Sequence, residues 1–596
     1  MMSGIVPARI SKGCKGNCAA SDGGESNKEI GVAEITSADM VVVGSGLAGM
    51  MAALRGHELG LKVVLIEKAS HYGGTSVFSG GGIWIPNHRW LKCTDTPAKA
   101  LTYLRAITRG QGDERKFQVF IEMAPIMSEF AMSLGAQLFM LEGGPDYFSE
   151  FEGAMTGRQL SPRDYVAKPL GDEFHRMRLA YPGFYVAGRY HLSIDALGPL
   201  MNRSKGWIRA AFKLVVGYWL DWPWRLKTKR DSRLSMGAAF IGYMRKAMQE
   251  RNIPLLLNTR LVSLEESDTG IAGVRVSHNG NERMIAAPVV MLAAGGFDQN
   301  QAMRDAFLPV RTETANSLTP PGGNTGDAIR AGQAIGAAIE NMGHSWWCPS
   351  LRLPAHNNMS EPAGQLIFER ARPGAMCVNR LGRRFVNEAC SYDRFGHAMI
   401  ADHEKTGANL PCWMIFDARY RHKYNLSSLL PGWLYPDTWL PKEYIDNILY
   451  RADTIEDLAR KIEIDAEALN QSVQTMNDYA RTGKDLDFGR GDFIYDQAFG
   501  DKRHGPNCNL GPIDKAPFYA IRVELGDLGT KGGLKVDECA RVLDRAGAPI
   551  KGLYATGNTT GSLFVDTYPG PGSTLAASMT FAYVGVNHAA ASLLDR

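Results

Sequence analysis

Apolar positions cluster most clearly near the start of the chain, where a short apolar strand runs into a glycine-rich turn. The strand covers residues 39–43, and the turn at 44–49 has the spacing GxGxxG. The pattern next predicts a helix over 50–59 and a second apolar strand over 61–66, which ends at Glu67. A GxGxxG turn alone is weak evidence. With a strand before it, a helix after it and an acidic residue about 20 positions later, it is typical of a dinucleotide-binding βαβ unit.

The glycines of the turn have separate physical roles in such a unit. Gly44 makes the turn, Gly46 lets the backbone approach a pyrophosphate, and Gly49 permits close packing of the helix on the strand. The helix N-terminus attracts the phosphates, and Glu67 accepts hydrogen bonds from the ribose hydroxyls. The alternative is a glycine-rich turn in an unrelated α/β fold, which the flanking strand, helix and acidic residue disfavour.

Later segments indicate which dinucleotide is bound. Small residues at 73–76 and 79–82 suit a backbone that lies along a ribityl–pyrophosphate chain and a flat ring system. An apolar strand that ends in small residues lies at 289–296, and another strand runs into glycine at 552–558. Because these segments are far apart in the chain, the domain is predicted to be discontinuous, with another domain inserted into it. FAD is favoured over NAD.

Composition and charge exclude several other classes of protein. The chain has 596 residues, of which 45% are apolar and 21% charged, as in an ordinary globular protein of about two to four structural units. The formal net charge of +4 is too balanced for a nucleic-acid binder. The nine cysteines include no CxxC or CxxCH, so we expect no metal, whether a structural zinc, an attached haem or an iron–sulfur centre.

Neither end of the chain is predicted to anchor it in a membrane. Residues 1–37 contain no apolar run of signal-peptide length and are predicted to be a tail, in which Cys14 and Cys18 are free thiols. The stretch 574–594 has no acidic or basic residue but contains Thr, Ser, Asn and His throughout. A buried helix explains it better than a transmembrane one. We therefore expect a cytoplasmic protein.

The segment 203–233 combines positive charge with tryptophan. It has nine basic and two acidic residues. The basic residues are Arg203, Lys205, Arg209, Lys213, Arg225, Lys227, Lys229, Arg230 and Arg233, and the tryptophans are Trp207, Trp219, Trp222 and Trp224. Basic residues that flank an apolar, tryptophan-rich core are typical of an element lying in a bilayer interface. The segment is predicted to dock peripherally on a membrane surface. The alternative is a helix packed on the protein or on a second subunit.

A set of motifs makes the chain recognisable. They are GSGLAG at 44–49, GGTS at 73–76, NTGDA at 324–328, DLGTKGG at 527–533 and TYPGPG at 567–572. With them, the chain resembles the fumarate-reductase-like flavoprotein superfamily and, within it, the 3-ketosteroid Δ1-dehydrogenases. TYPGPG, with two tyrosine motifs upstream, marks the steroid branch. The resemblance covers about residues 38–596, except part of 165–235, where the tryptophan-rich segment departs from the family pattern.

The resemblance implies an α/β fold, in which a discontinuous Rossmann-like FAD-binding domain carries an inserted α+β catalytic domain. Residues 38–342 and 530–596 would form the FAD-binding domain, and residues 343–529 the catalytic domain. The active site would lie between the two, where ligand sites commonly occur.

The catalytic groups of that family all have matches here, namely Tyr147, Tyr392, Tyr568 and the backbone amide of Gly572. The implied reaction is 1,2-dehydrogenation of a 3-keto-4-ene steroid, in which the C2 proton goes to Tyr392 as tyrosinate and the C1 hydride to flavin N5. Tyr568 and Gly572 would stabilise the enolate oxygen. Tyr147 would donate a hydrogen bond to Tyr392 and relay the proton outward. Since tyrosine has a reference pKa near ~10, activity should rise toward alkaline pH.

The motifs and the resemblance together predict FAD contacts spread over the whole chain. The predicted contacts are Gly44, Ser45, Gly46, Ala48, Gly49, Glu67, Lys68, Gly74, Thr75, Ser76, Ser79, Gly81, Gly82, Val262, Ala294, Gly295, Asp327, Gly557, Asn558, Thr574 and Leu575. Attachment is expected to be non-covalent, because His71 is not in the local motif of the superfamily's covalent histidine.

The resemblance also implies the partners. The substrate would be a steroid, and the predicted membrane docking extends this to sterol-derived substrates with a side chain, such as cholest-4-en-3-one. With no haem or iron–sulfur motif in the chain, the electrons must leave to an external acceptor, for which a membrane quinone is one candidate. The preference at steroid C17, the acceptor and the oligomeric state stay open.

Alternative functions also stay open. A fumarate-type dicarboxylate oxidoreductase needs arginines that clamp carboxylates. The sequence offers Arg370, Arg372, Arg380, Arg383, Arg384 and Arg394, although TYPGPG stands where a substrate-binding arginine is expected. A ketosteroid Δ4-dehydrogenase or a reductase is another alternative. The last alternative is a non-catalytic membrane sterol carrier in which FAD has only a structural role.

Overall fold

The apolar segments that the sequence predicts as strands assemble into one largely parallel sheet. In spatial order its strands are Leu255–Leu256, Val63–Ile66, Met40–Val43, Val289–Leu292, Pro549–Ala555 and Arg541–Leu543. All neighbours pair in parallel except the last two. Every residue of the three strands at 40–43, 63–66 and 289–292 is buried, as expected for a parallel sheet covered on both faces.

The helix Leu47–Glu58 follows the first strand and packs against the C-terminal helix Ser573–Leu594. The C-terminal helix also contacts the helix Glu114–Ser133. More than half of its residues are buried, including Met579, Phe581 and Val586. The prediction of a buried helix over 574–594 is therefore confirmed.

A second sheet is inserted in the sequence between the strands 289–292 and 541–543 of the first sheet. In spatial order it has the strands Gln365–Leu366, Ser345–Leu351, Phe518–Thr530, Cys412–Asp417 and Ala375–Val378, with Leu449–Ala452 also paired to the long strand. All of its pairs are antiparallel. The architecture is the predicted α/β fold with an inserted, mostly antiparallel sheet.

Shorter strands complete the described structure. One antiparallel sheet has Thr259–Ser267, Gly270–His278 and Asn281–Ala286, and another has Ile83–Trp84, Gln159–Pro162 and Leu138–Met140. The remaining pairs are Ile339–Glu340 with Gly533–Leu534, Tyr165–Val166 with Arg233–Leu234, and Tyr185–Val186 with Tyr190–His191.

The other α-helices are Pro97–Ile107, Glu173–Arg176, Trp207–Leu220, Trp222–Arg225, Met236–Glu250, Gln301–Phe307, Asp327–Ala334, Tyr392–Thr406, Ala418–Lys423, Ile455–Lys461, Ala466–Thr482 and Ile494–Phe499. The 3₁₀ helices are Gly74–Phe78, Lys168–Leu170, Pro182–Phe184, Thr314–Asn316, Glu369–Ala371, Asp437–Trp439 and Gly557–Thr559.

This computed structural model describes residues 35–91, 94–186, 189–193, 200, 206–353, 364–442 and 444–594. From Thr36 onward, the described residues form one compact unit. The predicted tail, apart from residues 35–37, lies outside the described residues, and so do Cys14, Cys18, Arg203 and Lys205.

Candidate active site

The glycine turn lies at the carboxyl end of the strand Met40–Val43, tightly against the neighbouring backbone. Gly44 has φ = +105°, and a Cβ on it would lie 2.4 Å from the carbonyl oxygen of Ala293. A Cβ on Gly49 would lie 1.8 Å from the carbonyl oxygen of Gly44. Side chains at these two positions would collide with backbone, so the close approach depends on glycine.

The acidic residue at the end of the second strand is bonded to this turn. Ser45 donates to Glu67 Oε2 from its backbone N–H at 3.1 Å and from Oγ at 2.6 Å. The Ser45 Oγ also accepts a hydrogen bond from the Gly73 N–H at 3.1 Å. These bonds tie the first glycine turn to the small-residue run at 73–76.

A cavity of about 2060 Å³ begins at this turn and continues to the inserted sheet. Ligand pockets usually measure ~300–1,000 Å³, so this one has room for a dinucleotide and a second large ligand. All the predicted FAD contacts line it except Gly49 and Val262. Gly49 lies behind the turn. The strand Thr259–Ser267 borders the cavity with residues 259–261 instead, and 38% of Val262 is exposed to solvent.

The residues in this part of the cavity fit FAD. The helix Leu47–Glu58 begins after Gly46, which supplies no side-chain cap, so backbone N–H groups at the helix start can face a pyrophosphate. Glu67 can accept bonds from ribose hydroxyls. The Lys68 Nζ lies 3.0 Å from Asp327 Oδ2, and both residues line this part of the cavity. Burial opposes ionisation of Asp327, but Lys68 and Thr325 hold the pKa of its carboxyl below the usual value.

The three predicted catalytic tyrosines meet at the other end of this cavity, although they are far apart in the sequence. The hydroxyl of Tyr147 donates to the hydroxyl of Tyr392 at 2.9 Å. The ring of Tyr568 lies 5.2 Å from that of Tyr147 and 5.6 Å from that of Tyr392, between centroids. All three tyrosines and Gly572 line the cavity.

Two further aromatic residues belong to this cluster. The ring of Tyr495 lies 5.2 Å from that of Tyr147, and the ring of Trp346 lies 4.7 Å from that of Tyr568. Sequence reasoning missed both. Tyr495 is one of 21 tyrosines, and no motif around either residue distinguishes it from an ordinary core aromatic.

A buried ion network holds Tyr147 in place through the preceding residue. Asp146 accepts from Arg158 at 2.7 Å and from the Trp84 indole N–H at 2.7 Å, and Arg158 also pairs with Asp95. The backbone N–H of Tyr147 donates to the carbonyl of Pro569 at 3.0 Å. The network therefore connects the loop of Tyr147 to the TYPGPG loop. Burial raises the pKa of Asp146 to about 6, against the opposing effect of Arg158.

The TYPGPG loop brings two hydrogen-bond donors close together. Gly572 has φ = +88°, and a Cβ there would lie 2.1 Å from the carbonyl oxygen of Gly82, so the loop packs directly on the glycine run at 79–82. Burial raises the pKa of Tyr568, while hydrogen bonds from Thr574, Tyr392 and the Gly572 amide act in the opposite direction. The Tyr568 hydroxyl and the Gly572 N–H therefore lie in one region, next to the start of the helix Ser573–Leu594.

The surroundings of the tyrosines favour their neutral forms. Burial raises the pKa of Tyr392 well above its ordinary value, and the nearby Tyr147 and Tyr568 add to the effect. Burial also raises the pKa of Tyr147. Tyr392 is therefore a phenol at neutral pH in the resting protein, and its phenolate is a strong base once formed.

The arginines that a dicarboxylate site would need are used elsewhere. None of Arg370, Arg372, Arg380, Arg383, Arg384 and Arg394 lines the cavity. Arg384 pairs with Glu388 and Asp485, Arg394 pairs with Glu150, and Arg370 donates to the carbonyls of Ile367 and Cys390.

Comparison with known proteins identifies the family. The model of the FAD binding domain family matches residues 39–575. The chain is 36% identical to the 3-oxosteroid 1-dehydrogenase of Mycolicibacterium smegmatis, covering 93% of this chain and 97% of that protein. It is 35% identical to the 3-oxosteroid 1-dehydrogenase of Comamonas testosteroni, covering 92% and 96%.

A solved structure agrees with these sequence matches. The 3-ketosteroid Δ1-dehydrogenase of Sterolibacterium denitrificans, solved in complex with 1,4-androstadiene-3,17-dione, is similar with a TM-score of 0.90 and 42% identity, over 94% of this chain and all of that one. The resemblance inferred from the motifs is confirmed. The chain belongs to the 3-oxosteroid 1-dehydrogenase family of FAD-binding flavoproteins.

Proposed function

We propose that this protein catalyses the FAD-dependent 1,2-dehydrogenation of 3-oxosteroids, including sterol-derived substrates that keep a side chain. The observation that carries the proposal is the meeting of Tyr147, Tyr392, Tyr568 and Gly572 in one wall of a cavity whose other end has the features of an FAD site. The family membership supports the same reaction.

The C2 proton of a 3-oxosteroid is acidic only when the C3 oxygen can accept charge. The hydroxyl of Tyr568 and the N–H of Gly572 are the two neutral donors available for that oxygen. Tyr392, as phenolate, accepts the C2 proton and becomes a phenol. Tyr147 stabilises that phenolate before the transfer through its 2.9 Å hydrogen bond, and afterwards passes the proton outward. Bound FAD supplies the acceptor for the C1 hydride.

FAD is held non-covalently by the residues that line the cavity from the glycine turn to the C-terminal helix. His71 is exposed and is not part of the cavity wall. We assign residues 38–342 and 530–596 to the FAD-binding domain and 343–529 to the catalytic domain. The acceptor is external to the chain, and a membrane quinone is our candidate.

The substrate end of the cavity has an apolar wall suited to a long sterol. Leu214 and Val215 of the helix Trp207–Leu220 line it, together with Phe184, Leu429 and Leu434. The predicted membrane segment therefore borders the substrate cavity directly. A side chain at steroid C17 has apolar surface to contact there, and burial of each methylene stabilises binding by about 0.8 kcal/mol.

The same helix and the residues that follow it carry exposed apolar side chains, which supports membrane docking. The side chains of this docking surface are 37–79% exposed. They are Ile208, Phe212, Val215, Trp219, Trp222 and Leu226, with Leu430, Leu434 and Trp439 beside them. The ring centroids of Trp207 and Trp433 lie 6.2 Å apart, so the helix contacts the neighbouring segment that carries Leu430 and Leu434. In the described part of the chain, no helix is both long and apolar enough to cross a bilayer. We propose that the protein docks peripherally on the cytoplasmic membrane.

The basic residues of the segment divide into two groups. Arg225, Arg230 and Arg233 are bonded to the protein itself, through Lys229 O, Phe174 O and Leu214 O respectively. Exposed charges that can face anionic lipid headgroups are Arg209, Lys213, Lys227 and Lys229. The docking surface thus has an apolar centre with basic residues beside it, as interfacial helices do.

The first test is an anaerobic titration of the purified protein with steroids. We expect 4-androstene-3,17-dione and cholest-4-en-3-one to bleach the visible flavin band and to yield the 1,4-diene-3-one products. The proposal would be refuted if steroids left the flavin band unchanged while dicarboxylates bleached or restored it. A preparation without flavin would refute it at its first step.

The membrane proposal is tested by replacing Ile208, Phe212, Trp219 and Trp222 together with Ser and measuring sedimentation with anionic vesicles. Burial of one large apolar side chain is worth about 1.5–3 kcal/mol, so we expect vesicle affinity to fall at least ~100-fold. These side chains do not line the cavity, so turnover of a soluble steroid should persist.

A matched control replaces Leu381, Leu486 and Ile494, which are exposed apolar residues of the inserted part. That variant should bind vesicles as the original protein does. Equal binding by both variants would refute the docking surface. If the original protein does not bind vesicles but forms a dimer, and the variant with the four serines is monomeric, the surface is a subunit interface.

A further inference from the structure

Lys531 is a buried ammonium group at the point where the chain leaves the inserted sheet. It directly follows the strand Phe518–Thr530 and lies within the DLGTKGG motif. Its side chain has 0% exposure. Lysine is almost never fully buried unless it is paired, so its surroundings indicate a function.

Three partners surround the Lys531 ammonium group. The Nζ lies 3.0 Å from Asp393 Oδ1, donates to the backbone carbonyl of Asp566 at 2.5 Å, and lies 4.7 Å from the ring centroid of Trp346. The pair with Asp393 is fully buried on both sides. A buried pair of this kind is costly to break, because removal of one partner leaves an unpaired charge in the interior.

Each partner supports a different part of the active site. Asp393 follows the base Tyr392 in the first turn of the helix Tyr392–Thr406. Trp346 packs on Tyr568 and donates from its indole N–H to Asn558 Oδ1 at 3.2 Å. Asp566 lies two residues before Tyr568, in the approach to the TYPGPG loop.

We propose that Lys531 is a positioning residue of the dehydrogenase, which holds the base Tyr392 and the oxyanion donor Tyr568 in register and neutralises Asp393 between them. This inference rests on the proposed function. Lys531 does not line the cavity, so it acts through Asp393, Trp346 and the Asp566 carbonyl rather than on the substrate.

Charge neutralisation is needed because the reaction requires Tyr392 as a phenolate and then builds negative charge on the substrate oxygen. Asp393 raises the pKa of Tyr147 and of Tyr568, in addition to the larger effect of burial. Asp393 Oδ2 has no hydrogen bond in the described part of the chain. Lys531 on the other carboxylate oxygen is therefore the main compensation for this charge.

The other titratable groups near the pair come from neighbouring elements. They are His397 on the helix of Asp393, His344 before the strand Ser345–Leu351, and Asp566 with its partner Arg109. His397 lies 3.8 Å from Asp393 and binds the Asp566 carbonyl at 2.9 Å. Burial and the Lys531 charge both lower the pKa of His344, so this histidine does not replace the lysine as a cation.

The test uses the holoenzyme with Lys531→Met, Lys531→Arg, Asp393→Asn and the double variant Lys531→Met/Asp393→Asn. We expect Lys531→Met to lower kcat about 100-fold with little change in KM, since a small misplacement of catalytic groups has an effect of that size. About tenfold of this loss should correspond to a displacement of the rising pH–rate profile by one unit to higher pH, because the unpaired Asp393 opposes ionisation of the tyrosines.

The double variant removes both charges while it keeps the shapes, so the profile should return toward its original position and kcat should recover about tenfold. Lys531→Arg keeps the charge and should keep the position of the profile. An effect that is only structural would change thermal stability and flavin content in all variants, and the double variant would then recover no kcat.

The outcomes separate this inference from the proposed function. If the unmodified protein does not bleach with steroids, the proposed function fails. If it does bleach, and Lys531→Met keeps its kcat and profile, the role of Lys531 is refuted. If Lys531→Met does not fold, the double variant decides: a profile unmoved relative to Asp393→Asn alone refutes the electrostatic role.

Discussion

The Tyr392→Phe variant should reduce its flavin about 10²- to 10⁴-fold more slowly than the unmodified protein, because a positioned general base contributes a factor of that size. The substitution removes only the hydroxyl that accepts the proton, and the ring can keep its packing against Tyr568 and Phe368. KM should therefore change little. The measurement is the rate of anaerobic bleaching after rapid mixing with a 3-keto-4-ene steroid.

Tyr495→Phe is the matched control for this variant. Tyr495 is equally buried and its ring contacts Tyr147 at 5.2 Å, but it does not line the cavity. We expect its rate to stay within about threefold of the original. A Tyr392→Phe protein that converts steroid at the original rate would refute the base assignment and favour the non-catalytic sterol carrier.

The pH dependence provides a second check on Tyr392. Burial raises the pKa of Tyr392 well above its ordinary value of ~10, so the phenolate fraction rises tenfold per pH unit throughout the neutral and mildly alkaline range. The logarithm of the bleaching rate should rise with a slope near one and reach no plateau below about pH 10. A plateau near neutral pH would contradict this assignment.

Stability limits the alkaline end of that experiment. A tyrosine whose pKa is higher in the folded state than in the unfolded state contributes stability that is complete below ~10 and is lost as pH rises toward the folded-state value. Tyr147, Tyr392 and Tyr568 all have raised pKa values through burial. The free energy of unfolding should therefore fall above about pH 10, and rates are to be compared only where the protein remains folded.

Tyr568→Phe should lower kcat by about 10²- to 10³-fold, which corresponds to the loss of one of two donors to the enolate oxygen, ~2.7–4 kcal/mol. The phenyl ring would keep its contact with Trp346. Gly572 is the poorer probe of the same site, because a Cβ there would lie 2.1 Å from the Gly82 carbonyl oxygen and displace the loop.

Tyr554→Phe is the control for a buried tyrosine hydroxyl outside the cavity. Tyr554 bonds His588 on the C-terminal helix, so its replacement tests stability without touching the site. A Tyr568→Phe protein whose kcat falls no more than that of Tyr554→Phe would refute the oxyanion assignment. Combined with Tyr392→Phe, the two losses should be less than additive, because the groups act in one transition state.

The dinucleotide end of the cavity could be predicted from the sequence because its determinants are local. The turn requires glycine because Gly44 has φ = +105° and a Cβ on Gly49 would meet the Gly44 carbonyl oxygen, and Glu67 follows at a distance set by one βαβ unit. The prediction for Val262 rested on resemblance alone. The cavity wall at that strand is formed by residues 259–261, and Val262 lies beyond it with 38% of the residue exposed.

The segment 203–233 was singled out by its composition, but the orientation of its helix could not be predicted. Spacing alone could not say that Leu214 and Tyr218 are the buried side of the helix and that Phe212 and Trp219 are exposed. Nor could it say that Arg230 is bonded to the protein, because that bond depends on the chain around Phe174.

The sequence by itself therefore determined the nucleotide-binding turn, the α/β architecture with its insertion and, through family motifs, the tyrosines that we propose as catalytic. Only the tertiary structure decided which groups surround those tyrosines. Tyr495, Trp346 and Lys531 come from separate parts of the chain, and no local pattern distinguishes them from core residues. The physical reason is that a buried ion pair or ring contact is defined by partners hundreds of residues apart, whereas a glycine turn is defined by its own backbone.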